Sequence, residues 1–201
     1  MNKTKKKTTT ELVAERPDVE DLKKLDRFPI YVVLDNVRSL ENVGLIFRLC
    51  DALRVKKLFL TGITGYPPMG QRDPRLSNLQ EHAHNQISKT GIKLVPFVDW
   101  EYRESVVEVL KNLKEEGAQI IALEQTHDSI DFQKIDYLFP TVLVLGHERL
   151  GVDDRILALS DGIAEIPMYG MGNSLNVATA LAVVGYRVIG DLLAKNYAKA
   201  T

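Results

Sequence analysis

Three short groups of residues in this chain have the types and spacing to do chemistry. The first comprises Asn36, Arg38, Ser39, Asn42, Gly44 and Arg48, just after an apolar run that ends near Asp35. Ser39 is a helix N-cap by type. Helical side chains lean toward the N-terminus, so Arg48 reaches back over Gly44, which has no side chain to block it. That lane leads toward the free N–H groups of the helix start, an arrangement that suits a phosphate. The bland alternative is a surface pair of Arg48 with Asp51 or Glu41. The second group is Gly146, His147, Glu148, Arg149, Leu150 and Gly151. Its glycines let a ligand approach the backbone, and Glu148 can hold a loop by accepting backbone N–H bonds. In isolation it reads as an ordinary strand-to-helix turn rather than as a ligand loop. The third group runs from Ile166 through Met168 to Ser174, Leu175 and Asn176. Here Ser174 is expected to cap the final helix and Asn176 to lie in its first turn. Two such loops make a pocket from backbone amides near the C-terminus, whereas a Rossmann enzyme carries its glycine loop after the first strand.

Loops of this kind need strands that end where they begin. Apolar runs predict strands at 30–34, 57–61, 93–98, 119–123, 141–146 and 162–166, with Pro96 suggesting an edge for the third. Helical periodicity covers 41–54, where Val43, Ile46, Phe47, Cys50 and Leu53 share one face. Further helices are expected at 79–89, 101–116, 153–160 and from about Ser174 to Lys195, with Trp100 opening the second of these. Trp100 is read as packing, with base stacking as the alternative. Residues 62–78 hold three glycines and three prolines and form a long loop. Alternating strands and helices imply a largely parallel α/β sheet. Residues 175–184 are apolar or small on nearly every side, so this helix is expected to be buried all round, in part by a second subunit. His82 and His84 lack a third ligand at recognisable spacing, so no metal site is expected.

A chain of 201 residues suits a single core, and a net charge of −1 argues against wholesale electrostatic binding to nucleic acid. Its single cysteine, Cys50, excludes an intrachain disulfide and points to a reducing cytoplasm. No apolar run approaches the ~20 residues that span a bilayer, and no secretory signal is visible, so no membrane is expected. Residues 1–28 read as a basic arm, disordered over 1–10, followed by one short helix; 29–201 form the main domain. Lys5, Lys6 and Lys7 either solubilise the arm or touch RNA.

Together the three groups, in this order and spacing, resemble the motifs of the SpoU/TrmH branch of the SPOUT RNA methyltransferases, over about residues 29–193. The resemblance implies a mostly parallel α/β sheet flanked by helices, with a C-terminal deep trefoil knot. It implies S-adenosylmethionine as cofactor, a homodimer with active sites at the interface, and methyl transfer to a ribose 2′-hydroxyl in structured tRNA or rRNA. Carried over, Arg48 takes the catalytic position with Asn42 supporting it, and Glu148, Ser174 and Asn176 join them. Cofactor contacts fall on the segments around Leu145, Gly146, Ile166, Met168, Ser174 and Leu175, and RNA contacts on Arg38 and Arg48. Residues 75–82 depart from the pattern of close relatives, which leaves the RNA target open. The alternatives are a non-catalytic RNA-binding or ribosome-assembly factor and an enzyme that methylates a base nitrogen. Intact Arg48, Glu148 and Asn176 speak against the first; the Ser174–Asn176 motif speaks against the second.

Overall fold

The fold is taken from a computed structural model that describes residues 5–200. The expectation for residues 1–4 of the arm lies outside the described residues. The helices are α1 (Thr9–Ala14), α2 (Val19–Lys24), α3 (Leu40–Ala52), α4 (Ser77–Gly91), α5 (Val106–Glu115), α6 (Asp154–Leu157) and α7 (Val177–Ala200). The strands are β1 (Phe28–Asp35), β2 (Val55–Thr61), β3 (Trp100–Arg103), β4 (Gln119–Leu123), β5 (Ile130–Asp131), β6 (Thr141–Leu145) and β7 (Gly162–Glu165).

Alternation along β1 sets the two layers. Ile30, Val32 and Leu34 point into one apolar cluster and Tyr31 and Val33 into the other, all buried. The first cluster is filled by α3, α4 and α7, the second by α5 and α6. All strands pair in parallel, in the order β3-β2-β1-β6-β4-β7-β5. Chain order reverses between β1 and β6, so the crevice beyond their carboxyl ends is a topological switch point. The first and second groups of polar residues leave the sheet there.

Several expectations are corrected. The apolar stretch at 93–98 is not a strand. Ile92 and Lys93 have positive φ after α4, and Val95–Phe97 forms a 3-10 turn whose Val98 packs into the core. The third strand is instead β3, in which Trp100 and Tyr102 face the core while Glu101 and Arg103 ion-pair outside it. Trp100 therefore opens a strand, with its ring edge-on to Phe47 at 6.0 Å. The helix expected from 101 starts at Val106, capped by Ser105. The two-residue β5 had no apolar run to betray it. The arm forms two short helices rather than one: Thr8 and Glu11 make a reciprocal capping box for α1, and Asp18 caps α2.

Helix α7 is not buried all round. Ala178, Leu181, Val184 and Val188 face the core, but Val183 and Tyr186 are exposed. By length and composition Val177–Lys195 could cross a membrane, contrary to the reading of the sequence, yet its inner face packs against α3 and the sheet. Gly185 permits that approach, since a Cβ there would lie 2.6 Å from Leu53 Cδ1.

Gly44 serves a different purpose from the one its spacing suggests. A Cβ on it would lie 2.1 Å from Thr90 Oγ1 and 2.4 Å from the Ile87 carbonyl oxygen. The gap is filled by α4, whose Thr90 hydroxyl donates to the Glu41 carbonyl at 2.9 Å. There is no open lane for Arg48; Gly44 lets two helices touch. Gly44→Ala should therefore destabilise the protein by ~1–3 kcal/mol through overpacking. Gly190→Ala, with nothing within 4 Å of the added methyl, should be stabilising by ~0.5–1 kcal/mol from helix entropy. Urea unfolding of the two variants reads the contrast, and equal effects would contradict the helix contact.

Candidate active site

The site begins where β1 ends. Asp35 is buried and accepts from the Thr61 hydroxyl and the Asn36 amide, both at 2.8 Å. Burial pushes its carboxyl above the ordinary range despite those two bonds. Asn36 takes a left-handed conformation, with φ of 58°, and turns the chain out of the sheet. Ser39 then caps α3 by accepting from the Asn42 N–H at 3.2 Å, as its type predicts.

Glu148 joins this turn to the loop after β6. It accepts the backbone N–H groups of Arg38 and Ser39 at 3.0 and 2.9 Å, and the Asn42 amide at 3.0 Å. A carboxylate only accepts, so Asn42 must offer it nitrogen and keeps its carbonyl oxygen free. Asn176 donates to that oxygen at 2.9 Å. The remaining oxygen of Asn176 accepts the Ala178 N–H at 2.9 Å. Asn176 is therefore the cap of α7, and Ser174 lies outside the helix, correcting both expectations. Burial acts to raise the Glu148 carboxyl, but the donors from Ser39, Arg38, its own backbone and Asn42 outweigh it and hold the group below its ordinary value.

The second loop closes as a tight hairpin. His147 and Gly151 exchange backbone bonds at 3.0 and 2.8 Å. Gly151 has a φ of 72°, and a Cβ on Gly146 would fall 2.2 Å from the Gly151 carbonyl oxygen, so both positions demand glycine. Glu124, at the end of β4, accepts the Val152 N–H at 2.7 Å. Its neighbour Gln125 donates to the Asn173 carbonyl at 2.8 Å. Two consecutive residues thus fasten the two loops to the end of one strand.

Between these loops lies a pocket of about 360 Å³. Leu145, Gly146, Glu148, Ile166, Ser174, Leu175 and Asn176 all line it. Leu123, Glu124 and Gln125 line it too and were missed by the sequence reading. Their signal was the one used elsewhere, an apolar strand running into polar residues. What hid them is that β4 lies between β6 and β7 in space but precedes both in the chain.

Other expected residues stand apart. Met168 does not line the pocket; its Cε packs 3.7 Å from the position of a Cβ on Gly172, across its own loop. Arg48 lines no part of it, is exposed, and makes no hydrogen bond or ion pair among the described residues. The surface pair with Glu41 does not form, since Glu41 meets Lys89 at 3.3 Å. The Arg38 side chain is exposed, and only its backbone joins the relay. Lys5, Lys6 and Lys7 are exposed on the arm, with Lys7 paired to Glu15 at 2.5 Å. His82 and His84 are exposed on α4, and Cys50 is buried, which pushes its thiol well above the ordinary range.

A parallel sheet with its pocket between C-terminal strand-end loops defines a class distinct from the Rossmann enzymes. Residues 29–186 match the SpoU rRNA methylase family, and the chain belongs to it. It is 32% identical over 174 residues to the tRNA (guanosine(18)-2'-O)-methyltransferase of Thermus thermophilus, covering 85% of this chain and 79% of that one. It is 28% identical over 174 residues to the 23S rRNA (uridine(2479)-2'-O)-methyltransferase of Streptomyces viridochromogenes, covering 82% and 55%. Among solved structures, the Aquifex aeolicus TrmH/SpoU tRNA modifying enzyme superposes with a TM-score of 0.66 at 30% identity, over 88% of this chain and 85% of that one. The SpoU methyltransferase AviRb from Streptomyces viridochromogenes, in complex with AdoMet, shares the fold at 22% identity, with a TM-score of 0.68 over 88% and 65%.

Glu148→Gln should lower stability at neutral pH by about 1–2 kcal/mol, because an amide cannot accept at both ends. The folded-state pKa of Glu148 is depressed, so its contribution is present above the ordinary carboxylate value and is lost as pH falls through the folded value. Urea titrations of both proteins from pH 7 downward should therefore converge in acid. A difference that stays constant with pH would assign the effect to packing instead.

Proposed function

We propose that this chain transfers a methyl group from S-adenosylmethionine to a ribose 2′-hydroxyl of a structured RNA, acting as a homodimer with its active sites at the subunit boundary. The observation that carries this is the pocket held between three strand-end loops, in a chain of the SpoU family with ribose methyltransferases among its relatives. The names of those relatives include both tRNA and rRNA enzymes, so either RNA class fits.

The pocket suits the cofactor. Its volume lies in the range of small-ligand sites, ~300–1,000 Å³. Leu123, Leu145, Ile166 and Leu175 offer apolar walls for a purine, and Gly146 leaves backbone groups within reach of its edge. The bound cofactor supplies a methyl group made electrophilic by a sulfonium. Everything else falls to the protein, which must position the reactants, exclude water and manage one proton. Glu148 is an anion at neutral pH and sets the loops rather than acting as a base, since its oxygens are already hydrogen-bonded. Arg48 is exposed and unpartnered among the described residues, so it is free to meet a phosphate and a developing alkoxide. We assign it that clamping role. A guanidinium with a pKa of about 12.5–13.8 is a poor base, and an adjacent phosphate would hold its proton more firmly.

Dimerisation is supported by apolar side chains left open on two adjacent helices: Leu45 on α3, and Val183, Tyr186 and Leu193 on α7. The knotted threading of the C-terminal segment belongs to the same proposal, supported by membership of the SpoU family. A reducing cytoplasm accords with the free, buried Cys50.

Isothermal titration should detect S-adenosylmethionine and its demethylated product binding without RNA. Methyl mapping on total RNA from a deletion strain should then reveal one missing 2′-O-methyl group. Folded protein that binds neither ligand would favour the assembly-factor reading, and a missing base methyl the base-modifying one. Arg48→Ala should leave cofactor affinity intact while transfer falls by about 10²-fold or more, the scale for losing a donor at developing charge. Arg48→Lys should keep part of the activity without a rise near pH ~10.4; such a rise would make position 48 the base.

A further inference from the structure

A glycine costs conformational entropy, so one that its surroundings do not require needs another reason. Gly146 and Gly151 are required, by a close backbone contact and by a positive φ. Gly170 and Gly172 are not. Neither has a positive φ; a Cβ on Gly170 would meet nothing within 4 Å, and one on Gly172 only Met168 Cε at 3.7 Å, an ordinary contact. They alternate with Tyr169 and Met171, which are 94% and 101% exposed. No hydrogen bond among the described residues holds any of 167–172. Both ends of the segment are nevertheless fixed. Ile166 packs against the core, the Asn173 carbonyl accepts from Gln125 at 2.8 Å, and both residues line the cofactor pocket. We propose that residues 167–172 are a lid, open in this structure, which closes over the pocket when S-adenosylmethionine binds, with Tyr169 as its cover. The proposal rests on the reading under Proposed function.

The tether sets the reach of the tip. Tyr169 stands three residues after Ile166, and an extended chain spans at most about 3.6 Å per residue, so its Cα stays within about 11 Å of that wall of the pocket. Pro167 fixes φ at the entry to the segment, so the swing must come from the far side of the tip, where Gly170 and Gly172 stand. Their second conformation is the one that needs glycine. Closure buries an aromatic ring and a thioether that now face water, and a phenol ring laid over a purine gains contact with it. The segment from Pro167 to Gly172 carries no cation, so it offers an RNA phosphate nothing and suits the cofactor better. Closure also serves the chemistry. A covered pocket keeps water from the sulfonium and leaves the developing charge to fixed protein dipoles. The relay through Glu148, Asn42 and Asn176 lies outside 167–172, so the lid moves without breaking it.

The test places a reporter on the tip of the full chain. Trp100 is the only tryptophan and packs edge-on to Phe47, so emission that differs between Tyr169→Trp and wild type reports the lid. Adding S-adenosylhomocysteine should shift the emission of the variant to the blue and reduce its quenching by acrylamide severalfold, with no such change in wild type. The double variant Gly170→Ala, Gly172→Ala should unfold in urea at or above the wild-type midpoint, because the open loop has room for both methyl groups. Its Kd for S-adenosylhomocysteine should nevertheless rise about tenfold, the scale of forcing one side chain into a glycine conformation. Tyr169→Ala should speed dissociation of S-adenosylhomocysteine by about tenfold, the scale of losing one aromatic stack on a base, and leave association near the wild-type rate because the entrance is already open. An indole that stays fully quenchable with ligand bound, or glycine variants that bind as wild type does, would overturn the lid. So would a blue shift that appears only with RNA, or one that follows protein concentration rather than ligand, since the tip would then serve the RNA or a second subunit. Each of those results leaves the cofactor site in place. Failure of S-adenosylhomocysteine to bind wild-type protein would remove the reading beneath the lid as well.

Discussion

A carboxylate can only accept hydrogen bonds, and the site follows from satisfying one of them. Glu148 draws two backbone N–H groups from the turn after β1 and one amide from Asn42. That fixes which way the Asn42 amide points, which in turn fixes Asn176, which caps α7. Segments 106 and 134 residues apart along the chain are thereby locked in one register. A neutral or shorter side chain at 148 breaks the sequence of constraints at its first link. The depressed pKa of Glu148 keeps the anchor charged through the neutral range.

The rest of the fold delivers these groups to one place. The switch point between β1 and β6 puts the Asn42 turn beside the Glu148 hairpin. The order β6-β4-β7 places the end of β4 between the two glycine loops, where Glu124 and Gln125 hold one loop each. On the other side, contact through Gly44 packs α4 onto α3 and leaves Arg48 on the open face of α3. Arg48, the charged group proposed to meet RNA, is therefore free, whereas the groups that shape the pocket are tightly held. This division suits a reaction whose main demand is positioning.

What could be read from the sequence divides along the same lines. β1 and β6 were legible because strands buried on both faces are continuous apolar runs. The relay residues and most pocket residues were legible because they stand in glycine-rich loops after such runs. Gly44 was misread because local helix geometry says nothing of α4 arriving from a distant segment. The stretch at 93–98 was misread because an apolar run bounded by positive-φ residues can pack as a turn, while the alternation of Trp100, Glu101, Tyr102 and Arg103 was the better strand signal. Glu124 and Gln125 were missed because spatial order in a parallel sheet is not chain order. Asn176, rather than Ser174, caps α7 because its amide can serve the cap and Asn42 together, which one hydroxyl could not do over that span.

The central claim is that the relay through Asn42 and Asn176 builds the cofactor pocket as a unit. Its most direct test is a double-mutant cycle on S-adenosylhomocysteine affinity, with Asn42→Ala, Asn176→Ser and the pair together; serine keeps a cap for α7 while removing the donor to Asn42. The account predicts strong coupling, ~0.5–3 kcal/mol, with the double variant barely weaker in binding than either single one. Losses that simply add would mean that the two residues act independently, and would contradict it.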